Sequence, residues 1–291
     1  MYVNSMKRLL VVLLGMAGMC GKAYAQTYFT STEFGISGGG SQYFGDLNDR
    51  YGFKTINLGG GVYVRKHFTQ YISIKAGGYY TKVSYSDKLN NDLFQRTRNL
   101  DFTSKIYEFS VQAEFNFFRF TTGDPYHRFT PYLTGGIGAF MFDPYTTYNG
   151  NRYMLRPLGT EGQYVGGFDD RKYGNIAPCI PIGAGVKFWL KGGVNLTLEV
   201  ADRLTLTDYL DDVSTTYVGL DRFPKSAQNP TYLLQDRSTE NPGTAPLGRK
   251  GKQRGNSATK DQYLMAMFSI SWHFVTYRCP SFMDHDMIST Y

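Results

Sequence analysis

Beyond residue 25 the chain has no apolar run approaching the roughly 20 residues that a spanning helix requires, so a helical membrane protein is excluded. Cysteine is scarce, three in 291 residues, and one of these, Cys20, lies in a leader segment expected to be removed. The other two, Cys179 and Cys279, fall near opposite ends of the strand pattern set out below. A disulfide needs its Cα atoms within roughly 7 Å, so no intramolecular bridge is expected. The charge excess is small, +7, and scattered. Its one dense cluster, Arg249-Lys250-Gly251-Lys252-Gln253-Arg254, reads as a solvated loop, with contact to acidic lipid headgroups as a second option. No nucleic-acid fold signature accompanies that cluster, and nucleic acid is not an expected partner.

The first residues set the compartment. Lys7 and Arg8 precede an apolar stretch from Leu9 to Met19, and Ala23-Tyr24-Ala25 follows before Gln26. Charge, apolar run and small-x-small site, in that order, mark a cleaved secretory signal peptide spanning residues 1–25. Cys20 suggests lipid attachment, but Met19 before it is larger than the usual small residue there. Export by the Sec route, with cleavage after Ala25, is the expectation.

What is abundant is glycine and aromatics: 33 Gly, 24 Tyr and 21 Phe. They occur in short alternating runs, which suit a sheet closed on itself. From Ile106 to Phe117, Tyr107, Phe109, Val111, Ala113, Phe115 and Phe117 share one face, opposite Glu108, Ser110, Gln112, Glu114 and Asn116. Period two over that length is a strand with one apolar and one polar face. Leu264–Phe274 and Val194–Val200 repeat the pattern, and weaker alternation marks Glu33–Tyr43, Thr55–Lys66, Tyr71–Tyr85, Phe129–Phe142 and Ile180–Leu190. Glycine pairs and triples inside these runs ease the bending that a small barrel imposes.

A soluble sandwich also alternates; connection lengths separate the two. Short links at His67–Gln70, Thr121–Arg128 and Lys191–Gly193 alternate with long ones at Ser86–Thr103, Asp143–Ala177 and Thr207–Lys260, and with a shorter one near Leu47–Gly52. Short periplasmic turns and long outer loops belong to outer-membrane barrels. The expected fold is therefore all-β: a transmembrane antiparallel up-and-down barrel of about eight strands over residues 26–274, with outer-membrane lipids around it. Turning the polar face inward gathers Glu33, Glu108, Glu114 and Glu199 with Arg65, Lys75, Lys187 and Arg203, a balanced set that can pair in a closed lumen. Eight strands leave an interior just wide enough to be filled by side chains, so no diffusion pore is expected.

Asp208, Asp211 and Asp212 crowd together after the seventh strand, and oxygen-rich clusters of this kind can hold calcium. Their spacing lacks the alternation and glycine of an EF-hand loop, so a structural or partner-contact role, with Tyr209, is favoured over a metal. The four histidines outside the leader, His67, His127, His273 and His285, all fall at the periplasmic end, away from those carboxylates. Acid–base chemistry at the outer rim thus has no histidine, and neither catalytic residues nor a cofactor are expected. Residues 275–291, with Arg278 and Pro280, read equally as a disordered tail or as a contact strip for a periplasmic partner.

Several stretches resemble the PorG-like outer-membrane barrels associated with type IX protein secretion. They begin with Glu33-Phe34-Gly35 and Tyr43-Phe44-Gly45-Asp46-Leu47, and continue through Ile106-Tyr107-Glu108-Phe109, Pro131-Tyr132 and Gly135-Gly136-Ile137-Gly138. The most specific are Pro157-Leu158-Gly159-Thr160-Glu161-Gly162-Gln163 and Thr207-Asp208-Tyr209-Leu210-Asp211-Asp212-Val213-Ser214. The resemblance implies a non-catalytic component beside the periplasmic ring of that machine, in contact with a ring lipoprotein.

Overall fold

The computed structural model describes residues 31–275 apart from 227, 228, 242 and 244. The signal segment, Arg278, Cys279, Pro280 and His285 lie outside these residues. Among the described residues nine strands form: β1 (Ser31–Phe44), β2 (Asn57–His67), β3 (Ile72–Ser86), β4 (Asp101–Asn116), β5 (Phe129–Tyr148), β6 (Asn151–Met154), β7 (Ile176–Lys191), β8 (Val194–Thr205) and β9 (Gln262–Val275). All neighbours are antiparallel, and pairing of β4 with β5, as well as of β1 with β9, closes the sheet into an eight-stranded barrel. Closure removes every unpaired edge from the ring, which a lipid-embedded sheet requires.

The ninth strand is a departure from the sequence pattern. β6 folds back on the end of β5, from Tyr145↔Met154 to Tyr148↔Asn151, and stands outside the ring. Strands also run further toward the long loops than the alternation indicates. β4 starts at Asp101 instead of Ile106, with Phe102 and Ser104 turned inward, and β5 continues to Tyr148. In those extensions polar residues sit on both faces, so apolar–polar alternation no longer reports the strand.

Within the barrel the alternation holds. On β4, Glu108, Ser110, Gln112, Glu114 and Asn116 are buried in the lumen, while Tyr107, Phe109, Val111 and Phe115 are exposed around the outside. Phe34, Val62, Ile74, Leu133, Ile137, Ile182, Leu198 and Phe268 continue that exposed apolar belt on the other strands. From Phe117 up to Tyr107, ten residues at about 3.4 Å each and a tilt of about 40° span about 26 Å, the height of a barrel's lipid-facing band. Glycine makes room where lumen side chains are large. A Cβ at Gly35 would lie 2.3 Å from the Tyr63 ring carbon Cζ.

Candidate functional site

The lumen is filled in two layers. Near the short turns, Glu33 accepts from Arg65 at 2.8 Å, from Asn195 at 2.7 Å and from Ser271 at 3.0 Å, and pairs with His67 at 2.8 Å. Glu114 meets Arg65 at 2.8 Å and Lys187 at 2.6 Å, with Lys75 3.8 Å away. Lys75 reaches Glu199 at 2.5 Å, where Tyr132 also donates at 2.7 Å. Higher up, Arg203 pairs with Glu108 at 3.1 Å, and Tyr263 donates to the same carboxylate at 2.9 Å. The eight charged residues that the polar face assembles in sequence are thus all in the lumen and all paired. Burying a charge is tolerable only with such partners. Toward the long loops the filling turns apolar: Val83, Phe102, Ile106, Phe140, Phe142 and Met265 pack into one core.

Above that core the long loops fold into a cap. Tyr43 spans the boundary, its hydroxyl donating to Asp211 at 2.5 Å and to Asp261 at 3.0 Å. Asp261 in turn accepts the Leu210 amide at 2.9 Å, and Asp211 accepts the Val213 amide at 2.9 Å. The Asp212 carboxylate receives Tyr173 at 2.6 Å and the Thr160 hydroxyl, from a backbone at φ 65° that asparagine, aspartate and glycine favour. Asp208 takes the Ser214 hydroxyl at 2.6 Å. Tyr209 lies flat on Tyr173, with ring centroids 4.5 Å apart. Glu161 accepts the Ser214 amide at 2.9 Å and Arg254 at 3.1 Å. The stretches Pro157–Gln163 and Thr207–Ser214 therefore interlock.

Four of the site residues expected from sequence, Asp208, Tyr209, Asp211 and Asp212, come together here, with the three aspartates buried and turned into the cap. Among the described residues no group of three or more His, Cys, Asp or Glu side chains is arranged to hold a metal. Burial of Asp211, together with the charge of Asp261, pushes its carboxyl well above the ordinary range; burial and Asp46 do the same to Asp261. Burial lifts Asp46 to about 7, and Asp208 and Asp212 to about 6.

The reading of Arg249–Arg254 as a solvated loop needs correction at one residue. Arg249, Lys250 and Lys252 are exposed, but Arg254 is only 2% exposed. It binds Glu161, the Asp212 carbonyl at 2.6 Å and Thr160 at 3.1 Å. Its hydrophilic neighbours hide it, because a side chain's burial depends on which loop folds over it. Arg98 was also unmarked by sequence. It clamps Asp87 at 2.7 Å and the Arg254 carbonyl at 2.5 Å, tying the loop after β3 to the one before β9. Beside it a cleft of about 520 Å³ opens, lined in part by Asp46, Gln95, Arg98, Asn256 and Lys260.

Among the described residues histidine stays away from the cap. His67 is held on Glu33 at the opposite end of the lumen, and His127 pairs with Asp124 at 2.6 Å in the turn before β5. Cys179 is buried and unbridged.

No curated protein matches the sequence. Several solved eight-stranded barrels are similar at low identity. Ail, the attachment invasion locus protein of Yersinia pestis, matches at 10% identity over 84% of this chain and 99% of its own, with a TM-score of 0.40. Neisserial surface protein A matches at 8% identity over 84% of this chain and 97% of its own, at 0.41. The N-terminal barrel domain of Pseudomonas aeruginosa OprF matches at 10% identity over 85% and 100%, at 0.35. Residues 7–223 match a family described only as a domain of unknown function, DUF6089, and since that match takes in most of the chain, the protein belongs to this family.

Proposed function

We propose that the chain is a non-enzymatic outer-membrane barrel that serves as a structural component of a type IX protein secretion machine. In this reading it contacts the periplasmic ring lipoprotein through its short turns and the segment following β9, where Arg278 and Pro280 lie. The observation that carries the reading is the filled lumen. With its charges paired below and an apolar core above, the interior offers nothing to conduct, so function falls to the two ends of the barrel. The interlocking of Pro157–Gln163 with Thr207–Ser214 supports it too, because those stretches carry the resemblance to the secretion-associated barrels. Asp208, Asp211 and Asp212 then act by shaping the outer cap, their oxygens being turned into it.

The test is affinity purification of a tagged copy from outer membranes extracted in mild detergent with crosslinker, together with secretion of a tagged cargo in a deletion strain. Retention of a ring lipoprotein and loss of cargo secretion are expected. A barrel recovered alone from cells that secrete normally overturns the reading. Altered lipid A or phospholipid in that strain would point instead to a lipid-modifying enzyme.

A further inference from the structure

The outer boundary of the apolar belt is chemically uneven. On β3 and β4 the belt ends with Tyr80 and Tyr107, which face each other in register, their ring centroids 5.0 Å apart. One step higher, Lys82 and Lys105 are directly opposed and both exposed. Outward residues directly opposite in an antiparallel pair have Cβ atoms about 5 Å apart, and like charges there repel. The nearest acids are already taken. Asp143, opposite Lys105 on β5, pairs with Arg156 at 3.2 Å. Asp101 is held by Arg237 and by Thr146. Among the described residues neither lysine has an ion-pair partner within 4.0 Å. Arg152 on β6 adds a third exposed cation to the sector, lying 3.8 Å over the Tyr145 ring.

At the outer ends of β2, β7 and β8, Leu58, Ile176 and Leu204 are exposed and apolar, and the exposed Lys54 beyond Leu58 donates to the Leu89 carbonyl. The directly opposed pair Lys82 and Lys105, without an acidic partner and immediately above a pair of interfacial tyrosines, describes a site. We infer that Lys82, Lys105 and Arg152 bind the phosphate of a phosphorylated glycolipid in the outer leaflet, with its acyl chains along Tyr80, Tyr107 and Phe109. A phosphate bridging two opposed ammonium groups removes their repulsion, and charge-assisted bonds to phosphate are short and strong. The inference rests on the barrel being membrane-embedded with its long loops outward.

The test uses the full mature chain folded into phosphatidylcholine vesicles containing bisphosphorylated lipid A, dephosphorylated lipid A or neither. Unfolding temperature is followed by unboiled gel mobility, and bound lipid by native mass spectrometry. The phosphorylated form is expected to raise the unfolding temperature and to bind at least tenfold more tightly than the dephosphorylated form. Lys82→Gln with Lys105→Gln abolishes that preference, Lys82→Arg with Lys105→Arg retains it, and Lys66→Gln with Lys191→Gln, at the other end, leaves it unchanged. Equal binding of both lipids, or an undiminished preference in the glutamine pair, overturns the site. Equal protection by free inorganic phosphate overturns the lipid as its source. A wild-type chain that folds in none of the vesicles overturns the membrane reading itself.

Discussion

Tyr43 has two tasks: its ring completes the apolar half of the lumen, and its hydroxyl holds Asp211 and Asp261 together. Asp46, Asp208, Asp211, Asp212 and Asp261 each bind a proton more tightly in the cap than in an unfolded chain, since burial disfavours the charged form. The cap therefore takes up protons as it closes. Its stability is fully present below the unfolded aspartate value of about 4 and declines as pH rises through the folded values. Those values are about 6 for Asp208 and Asp212, about 7 for Asp46, and higher for Asp211 and Asp261. The facing charges are Arg98, Arg254, Glu161 and Lys260, and the Arg98–Asp87 and Arg254–Glu161 pairs hold the loops on either side. Hydrogen exchange corrected for intrinsic rate is expected to show 207–215 and 253–261 better protected at pH 5 than at pH 8, with β2 and β3 unchanged. Asp211→Asn should flatten the difference, and equal protection at both pH values would refute the assignment. Asp208, Asp211 and Asp212 were legible as a group because they are neighbours in sequence. Asp46, Glu161, Asp261 and Arg254 were not, because they reach the same place from loops whose meeting no local pattern encodes.

At the scale of a strand, the alternation reports a face only where one side meets lipid and the other a packed lumen. That condition holds along the belt, and there the sequence shows which way each residue points, down to the eight charges of the lumen. Above the belt both faces meet protein or water, and the ends of β4 and β5, together with all of β6, leave no mark in the pattern. Depth along one strand can be tested with one side chain. Ile137, on the outward face of β5, is 73% exposed and lies within the belt. Arginine there should cost about 2–4 kcal/mol in folding into vesicles, against about 0–1 kcal/mol for arginine at Thr103, above the belt. The comparison is made by urea titration of folding for each variant. Equal costs would mean that the strand crosses the bilayer at a different height.

At the scale of the whole barrel, the described residues form a stack: a paired ionic floor, an apolar middle and a loop cap joined to it through Tyr43. Because the floor is shared among strands β1, β2, β3, β4, β7 and β8, its ion pairs fasten strands distant in sequence. Glu114 is central to it, within 4.0 Å of Arg65, Lys75 and Lys187. Glu114→Gln preserves shape and removes the counter-charge, leaving these buried cations short of a partner. Breaking a buried pair from one side costs about 3–5 kcal/mol, whereas replacing both partners with groups of similar volume is often close to neutral. Glu114→Gln should therefore lower stability by about that amount in urea-induced unfolding followed by unboiled gel mobility. Adding Lys187→Met, which withdraws the closest cation, should recover part of the loss. If the double variant is as unstable as the single, the loss comes from packing around Glu114 and not from charge, and the ionic floor is not what ties the strands together.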